Sequence, residues 1–332
     1  MTVRMKRTLI LGGTAWLGRE LARQLIRSGH EVTCLARGNS GEVAQGAQLV
    51  RADRSQPGAY DAVQGIEFDS VIELSYEPQW VQEALAALAA TARHWSLVSS
   101  ISVYASAQLP GAGEDAQLHE PSDPGDYGHA KVLAERASTA MVADRLLIAR
   151  PGLITGPGDP SDRFSYWVSR LALAGAGQVL IPPTAGRHVQ VIDVRDAAAW
   201  IIDAAARSLT GTFNVAGTSH GFAQFLSTAA RIAGFSGELV TAQDAWLRER
   251  QVNYWAGARS LPLWLALEDH GFAQRSNQRY ALAGGPERDL EDLLGDVLAD
   301  ERARGLDRSR RAGLGRAEEL ELLGQLGRIR QG

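Results

Sequence analysis

An apolar run, Thr8–Leu11, ends in Gly12-Gly13 and gives way at once to helical spacing, with Leu17, Leu21 and Leu25 on one face and Gly29 as a terminator. A strand that becomes a helix within so few residues needs positions without side chains. Such a turn leaves backbone N–H groups converging at the positive end of the helix, where a pyrophosphate is held. The glycines stand in the first turn of a strand–helix–strand unit, the position at which a dinucleotide-binding reading is strongest.

The rhythm continues for the first 150 residues. Glu31–Ala36, Gln48–Ala52, Ser70–Leu74, His94–Ser99 and Arg145–Arg150 read as strands, and Pro78–Thr91 and 127–143 as helices. Strands alternating with helices at this pitch predict a Rossmann-type, doubly wound α/β fold, a parallel sheet covered on both faces. After Pro151 the pattern changes. A Gly/Pro-rich stretch (Gly156, Pro157, Gly158, Pro160) leads into helices at about 162–173, 193–207 and 222–233, with strands at Val189–Ile192, Gly211–Val215 and Glu238–Thr241. The expected division is a dinucleotide-binding domain from 1–160 plus 189–218, a smaller C-terminal α/β substrate lobe from 161–188 plus 219–300, and a helical tail, 301–332. The Arg- and Glu-rich tail reads as a solvated amphipathic helix.

Composition narrows the function classes. The chain has 332 residues and a net charge of −4, which gives no electrostatic reason to expect nucleic-acid binding. Its one cysteine, Cys34, cannot form an internal disulfide, which fits a reducing compartment, and reads as a buried, inert thiol. The basic residues Arg4, Lys6 and Arg7 precede an apolar run too short for a signal sequence, and no stretch approaches the roughly 18 apolar residues of a membrane span. A cytoplasmic protein without membrane contact or a metal site is expected.

The end of the second strand bears on which dinucleotide is held. An acidic residue there accepts hydrogen bonds from the adenosine ribose and repels a 2′-phosphate. Here the segment is Leu35-Ala36-Arg37-Gly38, and Arg37 offers a charge-assisted contact to a 2′-phosphate. NADP(H) is therefore favoured over NAD(H). Hydride transfer at a carbonyl or hydroxyl carbon also needs an acid/base beside the oxygen. A tyrosine, with an ordinary pKa of about 10, serves if a nearby cation lowers it. Tyr127-Gly-His-Ala-Lys131 provides that pair on one helix face. Pro121, Pro124 and Gly125 break the chain just before this helix, and His129, between the pair, is expected to face away from it.

These motifs resemble the extended or atypical short-chain dehydrogenase/reductase superfamily, the NAD(P)-dependent epimerase/dehydratase group, over roughly residues 7–218. The turn Gly12-Gly13-Thr14-Ala15-Trp16-Leu17-Gly18 is similar to that family's GxxGxxG turn, which often reads GGTGFLG, with Ala15 in place of the middle glycine; its methyl is expected to push the pyrophosphate outward. Ser99-Ser100-Ile101-Ser102-Val103-Tyr104 resembles SSxxVYG, and Arg150-Pro151-Gly152-Leu153-Ile154-Thr155-Gly156-Pro157-Gly158 resembles RPxxxxGPG. The resemblance implies that Tyr127 is the acid/base, that Lys131 lowers its pKa and holds the nicotinamide ribose, and that Ser100 orients the substrate oxygen, with Ser102 and Ser99 as fallbacks. It further implies cofactor contacts from the glycine turn, from Asp53 and Arg54 after the third strand, and from Pro151, and a homodimer built on the Tyr–Lys helix. Tyr104 is read as a packing residue.

Departures from the family pattern are also informative. Ile101 and Ser102 stand where sugar dehydratases carry Asp and Glu, which disfavours dehydration. Glu73 and Tyr76 replace the small residues (HxAA) that usually border the cofactor. Arg187 falls one residue off the arginine that nucleotide-sugar enzymes place on a diphosphate. The reading is an NAD(P)-dependent oxidoreductase or epimerase acting on a small or sugar-like molecule. The alternative is a cofactor-sensing or RNA-associated binding protein on the same fold, against which the joint presence of Tyr127, Lys131 and Ser100 and the negative charge argue.

Overall fold

The computed structural model describes residues 5–123 and 125–331. Arg4 and Pro124 lie outside the described residues. The chain opens with β1 (Arg7–Leu11), α1 (Trp16–Arg27), β2 (Glu31–Ala36), β3 (Gln48–Arg51), β4 (Ser70–Glu73), α2 (Pro78–Leu88), β5 (Trp95–Val98), α3 (Tyr127–Val142) and β6 (Leu146–Pro151). It continues with β7 (Leu153–Thr155), α4 (Ser165–Ala174), β8 (Gln178–Ile181), β9 (His188–Asp193), α5 (Val194–Ala206) and β10 (Gly211–Val215).

A seven-stranded sheet in the order β10-β6-β5-β4-β1-β2-β3 forms the centre, and every pairing in it is parallel. The pleat explains the cover on both faces. Leu9 and Leu11 of β1 enter a core with Val81 and Leu85 of α2 and Ala134 of α3, whereas Ile10 enters a core with Leu21 and Leu25 of α1 and Trp200 and Ile201 of α5. Each fully buried leucine of this kind contributes about 1.5–3 kcal/mol. The doubly wound sheet expected from the alternation is therefore present. Its order reverses at β1, which lies between β4 and β2, and a crevice opens there at the carboxyl ends of the strands.

The rest of the chain adds β11 (Ser219–Gly221), α6 (Phe222–Ala233), β12 (Glu238–Thr241), α7 (Asp244–Glu249), β13 (Asn253–Trp255), β14 (Ser260–Pro262), α8 (Gln278–Leu282), α9 (Leu290–Arg304) and α10 (Arg316–Gln331). A separate core gathers Trp167 of α4, Phe222 and Phe225 of α6, Leu294 of α9 and Leu322, Leu323 and Leu326 of α10. The tail is not a solvated helix. Leu314, Leu322, Leu323 and Leu326 enter this core while Leu320 stays exposed, and the buried Glu319 pairs with Arg170 of α4. Among the described residues no helix is long and apolar enough to cross a membrane.

Candidate active site

The glycine turn has the geometry its composition demands. Gly12 adopts φ +103°, a region open to glycine. A Cβ on Gly13 would stand 2.5 Å from the Cys34 Cβ, and one on Gly18 would stand 2.5 Å from the Gly12 carbonyl oxygen. These collisions show that β1, β2 and α1 meet too closely for side chains, which leaves the turn's backbone facing the crevice. A cavity of about 210 Å³ opens there, lined by Gly12, Thr14, Ala15, Arg37, Tyr76 and Trp80 among others. Backbone cradle and cavity together fit the pyrophosphate and adenosine end of a dinucleotide. Ala15 adopts φ −70°, so its methyl is unstrained, exposed and on the cavity wall.

The other residues expected on the cofactor divide. The Arg37 side chain is exposed, and its guanidinium lies 5.8 Å from the Trp80 ring centroid. Trp16 turns away, and its indole N–H donates to the Pro157 carbonyl at 3.2 Å. Leu17 packs into the α1–α5 core, and Pro151 is buried at the end of β6 opposite Val215. Asp53 closes a local turn, its carboxylate accepting from the Ser55 N–H at 3.0 Å and the Ser55 hydroxyl at 2.8 Å, which holds its pKa below the ordinary value. Arg54 borders the cavity, but its guanidinium is committed elsewhere: it donates to both Glu73 oxygens at 2.8 and 2.6 Å, to the Tyr60 hydroxyl and to the Trp80 carbonyl. The unexpected Glu73 is thus the buried partner of Arg54. Arg51 was not anticipated; its guanidinium packs against Gly38 beside Arg37.

Tyr127 is the first residue of α3. Asp126 caps that helix, its side chain accepting from the His129 N–H at 3.0 Å. The next residue, Gly128, has no room for a Cβ because the Ser102 carbonyl oxygen lies against it. That approach brings Tyr127 beside the short turn carrying Ser100, whose hydroxyl donates to the Ser102 hydroxyl at 3.1 Å. Crowding by the protein pushes the Tyr127 phenol above its ordinary value; a hydrogen bond with Ser100 and the charge of Arg163 oppose that rise. Arg163, which local spacing does not mark, is thus a cation that favours the ionised phenol. Lys131 is drawn inward. It is 2 % exposed, and its ammonium donates to the Ser75 carbonyl at 2.9 Å and the Val98 carbonyl at 2.6 Å, 6.0 Å from the Tyr127 ring centroid. Burial brings its pKa down to about 8 despite Glu73 and Glu135.

Tyr76, the other unexpected residue, meets the Tyr127 ring edge-on at 5.6 Å. Ser99 is buried, as is Tyr104, whose hydroxyl donates to Asn214 at 2.6 Å and accepts from Arg150 at 3.0 Å. His129 meets the His119 ring at a tilt of 58° and accepts from the Asp123 N–H. Arg187 is buried and consumed by the Leu265 and Pro183 carbonyls and by Asp244, so it offers nothing to a ligand.

Three solved structures share this architecture. A protein from Burkholderia cenocepacia J2315 is 23% identical with a TM-score of 0.70, over 90% of this chain and 98% of its own. The UDP-glucuronic acid 4-epimerase from Bacillus cereus, solved in complex with NAD, is 16% identical with a TM-score of 0.67, over 90% and 99%. A short-chain dehydrogenase/reductase superfamily protein from Agrobacterium tumefaciens with bound NAD is 18% identical with a TM-score of 0.65, over 90% and 98%. No curated protein matches the chain. The sequence itself is more telling: residues 8–216, from the first strand through the glycine turn and the Tyr127 helix to the end of β10, fit the model of the NAD dependent epimerase/dehydratase family, and the protein belongs to that family.

Proposed function

We propose that the protein is an NADP(H)-dependent oxidoreductase or epimerase acting at a carbonyl or hydroxyl carbon of a small or sugar-like molecule. The observation that carries this reading is the close approach of α3 to the serine turn at Gly128 and Ser102, which sets Tyr127 near Ser100 and edge-on to Tyr76 of the cavity wall. The glycine turn would hold the pyrophosphate, Arg37 and Arg51 the 2′-phosphate, and Lys131 the nicotinamide ribose. The bound nicotinamide supplies or accepts a hydride. Ser100 orients the substrate oxygen by a hydrogen bond, and Tyr127 exchanges the proton at that oxygen. Arg163 stabilises the phenolate when the proton is on the substrate. Ile101 and Ser102 offer no carboxylic acid pair for elimination of water, which disfavours a dehydratase. The unit that binds the dinucleotide is assigned to residues 1–160 plus 189–218.

Replacing Tyr127 by Phe tests the reading: cofactor affinity should persist while turnover falls about a hundredfold or more. Unchanged turnover would remove the tyrosine from the chemistry. Net change in the nicotinamide absorbance during turnover would identify an oxidoreductase, and substrate inversion without such a change an epimerase.

A further inference from the structure

A second cavity, of about 410 Å³, is lined in part by Ile101 and Ser102 of the serine turn. Ser102 forms part of its wall, and Ser102 is 3.1 Å from the Ser100 hydroxyl. Trp255 and Phe272 also line it, edge to face at 5.3 Å. Trp255 adopts φ +62°, a strained conformation for a bulky residue, and a chain carries that cost where the side chain must be presented in one direction. The Arg163 guanidinium lies 5.3 Å from the Trp255 ring centroid, and its charge also acts on Tyr127.

The unusual member of this wall is Arg275. Among the described residues the buried arginines are Arg54, Arg150, Arg170, Arg187 and Arg275. The first four are paired with Glu73, Glu135, Glu319 and Asp244. Arg275, 4 % exposed, has no carboxylate partner among the described residues. One of its terminal nitrogens donates to the Ser106 carbonyl and its plane rests on the Tyr104 ring at 4.4 Å, but its Nε–H meets no acceptor. A buried, unpaired charge is costly unless something supplies the counter-charge. Asp269, also on this cavity, is exposed to solvent and makes no ion pair with it.

We propose that this cavity takes a small organic acid with a ring or other compact apolar body, its carboxylate paired with Arg275 and its ring resting on Trp255 and Phe272. The proposal rests on the reading of Tyr127 and Ser100 as the reacting pair, to which this cavity is joined through Ser102, on its wall and hydrogen-bonded to Ser100. A nucleotide diphosphate fits less well: Arg187 is spent on the protein's own groups, and a single free buried cation matches one carboxylate.

The test is calorimetric titration of the full-length chain, with and without NADPH, using mandelate and 3-phenyllactate, their neutral amides, and UDP-glucose. Both acids should bind about tenfold or more tightly than their amides, the ratio expected of a charge-assisted hydrogen bond. Arg275→Gln should erase that ratio and Arg275→Lys should keep part of it, with NADPH affinity unchanged in both variants as the sign that each is folded. Equal or absent binding of acids and amides overturns the proposal, as does a ratio that survives Arg275→Gln or a preference for UDP-glucose. Binding needs no turnover, so the two readings fail separately: Tyr127→Phe should leave the acid-to-amide ratio intact whatever it does to the reaction.

Discussion

Gly128 presses its backbone against the Ser102 carbonyl so closely that a Cβ at position 128 would collide with that oxygen. The contact fixes where α3 begins relative to the serine turn, and so how near Tyr127 comes to Ser100. Gly128→Ala must push the two apart. Overpacking of this kind costs about 1–3 kcal/mol of stability. Displacing a reacting group by about 1 Å costs on the order of a hundredfold in rate. Turnover should therefore fall about a hundredfold in a variant that still melts cooperatively and still binds cofactor, measured by steady-state kinetics beside a thermal melt. Undiminished kcat would show that the approach of α3 does not set the reacting geometry.

The corner beyond β2 is basic. Arg37 has no ion-pair partner among the described residues, and Arg51 packs beside it against Gly38. Under the proposed reading these two guanidinium groups, neither paired with a carboxylate among the described residues, would hold a 2′-phosphate. Replacing Arg37 by Asp removes one charge-assisted contact of about 1.5–3 kcal/mol and adds repulsion, so NADPH affinity should fall about 10- to 100-fold or more while NADH affinity changes little. Arg51→Ala should weaken NADPH less. Fluorescence titration with both dinucleotides reads the ratio, and equal affinities in the parent chain would defeat the argument.

Local spacing made most of the sheet and the glycine turn legible, because a strand that runs into Gly12-Gly13 and a helix with Leu21 and Leu25 on one face have few ways to fold. The helix 127–143 was foreseen to within a residue of Tyr127–Val142. What escaped depends on partners distant in sequence. Arg54 was expected on the cofactor, but Glu73, alone in an apolar strand, becomes its partner only once β3 and β4 lie in one sheet. Arg163, Trp255 and Arg275 converge from separate segments and share no spacing, so nothing local marks them. The tail's Arg and Glu content suggested solvent, yet Leu322, Leu323 and Leu326 close the lobe core and Glu319 meets Arg170 there.

Lys131 should impose a pH limit. In the folded chain its ammonium titrates near 8, below a free lysine, because burial penalises the charge more than Glu73 and Glu135 favour it. A folded pKa below the unfolded one means that the charged form is destabilised in the fold, so conformational stability gains as pH rises from about 8 toward the free-lysine value. The function moves the opposite way. If the ammonium holds the cofactor ribose, the cofactor kcat/KM falls as pH rises through about 8, since that parameter reports the free enzyme. Lys131→Arg should carry the fall to higher pH. A flat profile from pH 7 to about 9.5 would dissociate this charge from cofactor binding.

The Arg54–Glu73 pair sits under the same pocket, 6 % and 0 % exposed, and connects to Lys131 through the backbone: Ser75 donates its N–H to Glu73 at 2.8 Å and accepts from the Lys131 ammonium at 2.9 Å. Removing one partner leaves the other charge buried without compensation. Glu73→Gln should therefore cost about 3–5 kcal/mol in urea unfolding, while the double replacement Arg54→Met with Glu73→Leu should cost much less than the sum of its parts, because it removes both charges. The same carboxylate favours the charged Lys131, so losing it should lower the lysine's pKa further. The alkaline fall in cofactor kcat/KM should then begin at a lower pH in Glu73→Gln, an effect that a purely structural ion pair would not produce. A variant that is destabilised as expected but keeps the parent pH profile would confine Glu73 to holding Arg54 and the Ser75 turn in place.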